Sequence, residues 1–325
     1  MISRRSVVLG LTAAGVSTLA WPASHLLERT PAKVPAEEAR AQEPVALKLP
    51  SLSADGPPLE ASLSATSAFQ GGALRLRTNI GQSGLASFLG RSVSLLPAPG
   101  GGLEAYLAVG VLDDPGQASA AVTVASGTLT DTVTLPFHIT ETDWTVDYIT
   151  IPPPQPGDPD PLDPAIVRAE ADLLASLYAA VSPGRYWVEP WMRPMDGVIT
   201  GYFGEQRSYN GGPVGGHHGG TDIATPIGQE PGAAIKAANH GVVALSERLI
   251  VRGNMVVIDH GGGVFSGYAH MSDRTVAAGD SVAQGDVIGT EGATGLVTGA
   301  HLHWEIAVGG ILVDALRWID GSQGF

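Results

Sequence analysis

Hydrophobic and polar positions alternate in short bursts along most of this chain, and Gly and Pro separate the bursts. Ala73-Leu74-Arg75-Leu76-Arg77, Ala120-Ala121-Val122-Thr123-Val124 and Thr132-Val133-Thr134-Leu135 each alternate with the period of a strand. Turn chemistry lies between them at Gln70-Gly71-Gly72, Pro99-Gly100-Gly101-Gly102 and Asp114-Pro115-Gly116-Gln117. This predicts a small antiparallel sandwich over 51–150, immunoglobulin-like and serving as a spacer or binding module. Pro152, Pro153, Pro154, Pro156, Pro159 and Pro161 then mark a stiff linker. Asp163 and Pro164 follow as cap and first position of a helix. Ile166, Leu173, Leu177 and Val181 are expected on its packed face. Linker and helix together fill 151–190.

From about 191 to the end at 325 the texture is again short strands: Val198-Ile199-Thr200, Gly241-Val242-Val243-Ala244-Leu245, Met255-Val256-Val257-Ile258 and Val264-Phe265-Ser266-Gly267-Tyr268. Gly279 to Gly289 reads as a hairpin, and Tyr209 to Gly216 as a flexible loop walling a site. The fold class is therefore mainly β, with a C-terminal antiparallel β domain.

Composition narrows the chemistry. A net charge of −14 makes a polynucleotide partner unfavourable. The absence of Cys excludes disulfides and thiolate metal sites, leaving imidazole and carboxylate as ligands, a set that suits zinc. Ser3-Arg4-Arg5-Ser6-Val7-Val8 and the short apolar run to Ala20 look like a twin-arginine export signal over 1–23. An Ala-, Pro- and Glu-rich tether is expected over 24–50. The protein would work outside the cytoplasm, in periplasm, envelope or medium, with membrane anchoring only where the signal stays uncleaved.

Seven of the nine His lie between 217 and 303. On a strand, His301, His303 and Glu305 share one face, and Leu302, Trp304 and Ile306 the other. His218 and Asp222 are four apart, with Gly219 and Gly220 between them. A helix is disfavoured there, and a straight strand would separate their Cα atoms by ~13 Å. The chain must bend for both to reach one ion, and the glycines allow the bend. His218, Asp222 and one of His301 and His303 would supply three ligands. The remaining His, and His270, would serve as general base or oxyanion stabiliser. His138, His240 and His260 read as structural, and His217 as a solvated loop residue.

These motifs resemble the lysostaphin-like (LytM-type) zinc endopeptidases of metallopeptidase family 23, which cleave peptidoglycan. The resemblance covers about 194–320 and rests on His218-Gly219-Gly220-Thr221-Asp222, Tyr268-Ala269-His270 and His301-Leu302-His303. It implies an open-grooved, hybrid-barrel-like metallopeptidase domain. It implies that His218, Asp222 and His303 bind zinc, and that His270 and His301 are the catalytic pair, with His301 the base. The implied activity is hydrolysis of peptide bonds in peptidoglycan cross-links or stem peptides by metal-activated water. The competing readings are a non-catalytic cell-wall binding protein or hydrolase activator on the same fold, and a carrier domain of the biotinyl or lipoyl type, which would need a Lys at a hairpin tip that Gly279 to Gly289 does not supply. Glu305, on the His face, is a candidate either to orient a ligand from behind or to form a surface ion pair. Asn210 is a candidate for covering the metal in a latent enzyme.

Overall fold

Each alternating burst becomes a strand in the computed structural model of the chain, which describes residues 46–51, 57–188 and 190–321. The expected signal and most of the tether lie outside the described residues. The tether was expected to reach residue 50, but Ala46–Ser51 is already a strand, paired antiparallel with Pro58–Leu63.

The first nine strands follow one hydrogen-bonded path, which Arg91–Pro97 joins across its middle by pairing on one side with Ser83–Phe88 and on the other with Leu103–Ala108. The path curls over a core that includes Leu59, Leu74, Leu76, Leu107, Val122, Leu135 and Ile139. His138 lies in its long strand Leu129–Thr140, opposite Gln117. After this unit, Val146–Ile149 runs parallel to Gln206–Tyr209, which pairs with Gly215–His217. The segment read as a flexible glycine loop is strand at its ends, Tyr209 and Gly215–Gly216, and 210–214 form the connection of this hairpin.

The second large sheet has the side-by-side order Val198–Gly201, Thr221–Ala224, Leu302–Val308, Val264–Met271, Asn254–Asp259, Gly241–Arg248 and Ser281–Val282, with Ile311–Val313 added beside Leu302–Val308. All of its pairings are antiparallel. One face carries Leu302, Trp304, Ile306, Val264 and Tyr268 into the main core. The opposite face carries Asp222, His303, Glu305 and Ala307. Gly279 to Gly289 is not a self-paired hairpin: Ser281–Val282 joins Gly241–Val242, while Val287–Thr290 pairs with Ala234–Lys236 and Asp273–Arg274.

The helix spans Pro164–Tyr178, with the Asp163 carboxylate accepting the Ala165 N–H as predicted. Its packed face differs from expectation. Leu173 and Val181 are exposed, and Leu174 and Tyr178 are buried. The face is rotated because a polar residue occupies it. The Glu170 carboxylate accepts the backbone N–H groups of Ile250, Val251 and Arg252, a demand invisible to apolar periodicity. Leu174 and Tyr178 pack with Met255, Val257, Phe265, Ala269 and Ala307. The helix thus packs on the same sheet face that carries Glu305, to which Tyr178 is hydrogen-bonded.

Candidate metal centre

Strand pairing assembles the cluster. Asp222 lies directly opposite His303 in the antiparallel pair Thr221–Ala224 and Leu302–Val308, so the two side chains rise from one face as cross-strand neighbours. His218 arrives from the bend between Gly215–His217 and Thr221–Ala224. The bend is tight for a reason other than the one expected. Gly219 and Gly220 do not use left-handed backbone. A Cβ on Gly220 would stand 2.4 Å from the Trp304 carbonyl oxygen and 2.9 Å from His303 Nε2. Absence of a side chain, rather than freedom of φ, lets the strand press against its neighbour.

Three donor atoms converge. His218 Nε2 is 3.0 Å from Asp222 Oδ1 and 2.9 Å from His303 Nδ1, and His303 Nδ1 is 2.9 Å from Asp222 Oδ1. Two imidazoles and one carboxylate at this spacing could hold a divalent ion with one position left open. The far side of each ligand is also engaged. His218 Nδ1–H donates to the Tyr202 carbonyl at 2.8 Å, which leaves Nε2 as a lone pair. His303 Nε2–H donates to Glu305 at 3.0 Å, which leaves Nδ1 as a lone pair. Asp222 Oδ2 accepts from Arg207 at 3.0 Å. Partners of this kind select the tautomer and ring orientation that a metal needs.

Burial and neighbouring charges together set the protonation of the group. Burial, reinforced by Arg207, pushes His218 down to about 4. Burial would raise Asp222, but the imidazoles of His218 and His301 draw it well below the usual carboxylate range. Burial would lower His303, yet the carboxylates of Asp222 and Glu305 beside its ring outweigh that and raise it. Burial would raise Glu305, but Arg252, with Nη2 at 3.2 Å, and His303 bring it to about 2.

His270 and His301 flank the cluster. His301 Nδ1–H donates to the Gly299 carbonyl at 2.9 Å, and its Nε2 comes to 3.6 Å from Asp222 Oδ1. His270 Nδ1–H donates to Thr294 at 2.8 Å. Its ring centroid is 4.9 Å from that of His301 and 5.9 Å from that of His303. Burial and the His301 ring hold His270 well below its ordinary value. His270 reaches this place through a β-bulge. Tyr268 opposes Val256 and Met271 opposes Asn254, so two residues, Ala269 and His270, face the single Met255. His270 carries φ of +64°. A bulge with left-handed backbone at a non-glycine residue re-aims a side chain that simple alternation would send to the other face.

The other singled-out residues are elsewhere. His260 is fully buried, bonded to the His240 carbonyl and to Ser266 Oγ, and stacked edge-on against Trp191. His240 Nδ1 accepts the Gln284 N–H. His217 packs edge-on against Trp144. Asn210 Oδ1 accepts the Ile151 N–H, which ties it to the Pro-rich linker and away from the cluster. Glu305 is at the cluster, fully buried, and is not a surface ion-pair residue. Sequence reasoning missed Arg207, Arg252, Tyr178 and the Tyr202 carbonyl, which no local motif marks. Two cavities border residues of the cluster or their chain neighbours. One of about 350 Å³ touches His217, His218 and Leu112. Another of about 1010 Å³ runs between Pro152–Pro154 and 296–300, ending at Gly299 and Ala300 beside His301.

Residues 216–315 match the family described as Peptidase family M23. The chain is 41% identical over 100 residues to peptidoglycan DD-endopeptidase ShyA of Vibrio cholerae, covering 31% of this chain and 22% of that protein. It is 45% identical over 94 residues to ShyC, a peptidoglycan DD-endopeptidase of the same organism, covering 29% and 21%. The chain thus spans about a fifth of the length of these curated relatives. A solved structure from Pseudomonas aeruginosa, provisionally described as a peptidase M23, shares the fold with a TM-score of 0.57 at 24% identity, over 77% of this chain and 94% of that one.

Proposed function

We infer, from the premise that this chain carries a peptidase domain of family M23, that it is an exported zinc metalloendopeptidase that hydrolyses peptide bonds of peptidoglycan. The observation that carries this reading is the convergence of His218 Nε2, Asp222 Oδ1 and His303 Nδ1 within 3.0 Å of one another, each with its far side tied. The donor set of two imidazoles and one carboxylate suits zinc, and the buried carboxylate would offset part of the ion's charge. When bound, zinc would acidify a water molecule and polarise the scissile carbonyl.

The chain's own groups do the rest. His301 Nε2 is the unprotonated nitrogen facing the cluster, because Nδ1 is committed to Gly299. It is placed to take the proton from the attacking water and to deliver it to the leaving amine. His270 sits beside it as its partner, with ring centroids 4.9 Å apart. The cavity at His218 and the one ending at Gly299 and Ala300 leave room for a peptide next to the cluster. The curled first unit, proposed as a domain over 51–150, would be a spacer or wall-binding module, and 191–325 the peptidase domain. The twin-arginine-like start supports export to the periplasm, cell envelope or medium.

Digestion of purified peptidoglycan, with products identified by mass, tests the reading. Cross-link or stem-peptide cleavage by wild type, abolished by chelator and in His218→Ala, is expected. Binding of peptidoglycan without cleavage by the zinc-loaded chain would favour the non-catalytic alternative, and chelator-insensitive release of the same products would contradict the metal mechanism.

A further inference from the structure

The helix Pro164–Tyr178 lies outside the segment that matches the peptidase family, yet it reaches the cluster at two points. Tyr178, its last residue, donates its hydroxyl to Glu305 Oε1 at 2.6 Å, fully inside the protein. The other oxygen of that carboxylate holds His303 Nε2 at 3.0 Å and Arg252 Nη2 at 3.2 Å. Two turns earlier, Glu170 accepts the N–H groups of Ile250, Val251 and Arg252. The Arg252 carbonyl accepts the His270 N–H at 2.9 Å. One helix therefore braces the group behind His303 through a side chain and the His270 bulge through a loop.

The sheet is built to admit this contact. A Cβ on Gly267 would stand 2.7 Å from the Tyr178 hydroxyl oxygen and 2.8 Å from Glu305 Cγ. The glycine in mid-strand is the space in which tyrosine and carboxylate meet. A carboxylate has two oxygens and can rotate about its last bond. With only Arg252 and His303 on Oε2, its plane would be set by one side. The tyrosine on Oε1 closes the other side and fixes the plane, and with it the direction in which His303 Nε2–H must point.

We propose that Tyr178 is a positioning residue for the metal ligand His303, acting through Glu305, and that the linker helix is part of the metal centre. This rests on the reading that His303 binds zinc. It predicts an effect on metal affinity that a purely structural helix would not have. Loss of a group that directly orients a ligand lowers affinity by about 10- to 100-fold, so Glu305→Gln should fall in that range. Tyr178 acts one bond further away, and Tyr178→Phe should raise the zinc dissociation constant by about three- to tenfold on the same scale.

The test uses the full chain and competition for zinc against a chromophoric chelator. The metal-free melting temperature is measured alongside. Tyr178→Phe is expected to weaken zinc binding, and to weaken it no further when added to Glu305→Ala, because the tyrosine then has no acceptor left to hold. Glu170→Gln should weaken binding independently, and Leu173→Ala, at an exposed position of the same helix, should not. Unchanged zinc affinity in Tyr178→Phe, with any fall confined to melting temperature, would overturn the proposal while leaving the ligand assignment intact. A multiplicative loss in the double variant would overturn action through Glu305. A wild-type chain that takes up no zinc would instead overturn the ligand assignment on which the proposal depends.

Discussion

Replacing Gly220 with Ala adds one methyl group where the structure has no room for it. The added carbon would lie 2.4 Å from the Trp304 carbonyl oxygen, 2.9 Å from the Trp304 carbonyl carbon and 2.9 Å from His303 Nε2. Ordinary contacts of this kind are about 3.4 Å or longer, so backbone must yield by about 1 Å. The neighbour is rigid: Thr221 and Trp304 are paired, and Trp304 is fully buried. The shift therefore opens the two strands that carry Asp222 and His303. A metal site tolerates ligand displacements of about 0.2 Å, several times less than this. Overpacking of this kind also costs about 1–3 kcal/mol. Equilibrium dialysis should find zinc near one per chain in wild type and far below it in Gly220→Ala at the same free zinc. Urea unfolding should place the metal-free variant within the stated loss. Full zinc occupancy in a folded Gly220→Ala chain would refute the close-packing argument.

Arg207→Met should destabilise the metal-free protein by about 3–5 kcal/mol, because it strands the buried Asp222 carboxylate, and by less when zinc supplies the opposite charge. Urea titrations with and without zinc compare the two, and equal losses would contradict the pairing. Saturating zinc at 100 times its dissociation constant should raise the unfolding free energy by about 2.7 kcal/mol, an increment that His218→Ala should lose. His260, fully buried and held at about 4 against 6.5 when exposed, gives a pH signature. The unfolded chain takes up this proton first as pH falls. Stability present above pH 6.5 is therefore lost on acidification toward 4, by on the order of 3 kcal/mol. Metal-free wild type measured against His260→Gln should show that slope, and parallel pH curves would count against it.

The faces of the strand Leu302–Val308 were legible because alternation is local: Leu302, Trp304 and Ile306 enter the core and His303 and Glu305 turn to the site. The bend before Asp222 was legible from its two glycines, though not its cause, which depends on how near Trp304 lies across the sheet. His270 could be picked out as a candidate, but the bulge that aims it depends on the register between Asn254–Asp259 and Val264–Met271, which no single strand encodes. The groups behind the ligands were hidden for the same reason. Arg207 is 15 residues from Asp222, and Tyr178 is 127 from Glu305. The helix face was misread because Glu170 fills a packed position for its hydrogen bonds, and apolar spacing gives such a residue no weight.

Anomalous diffraction at the zinc absorption edge from crystals of the full chain tests the central claim most directly. A single peak bonded to His218 Nε2, Asp222 Oδ1 and His303 Nδ1, with His301 and His270 beside it but unbonded, is the predicted result. A peak at another set of side chains, or none in crystals grown with zinc, would contradict it.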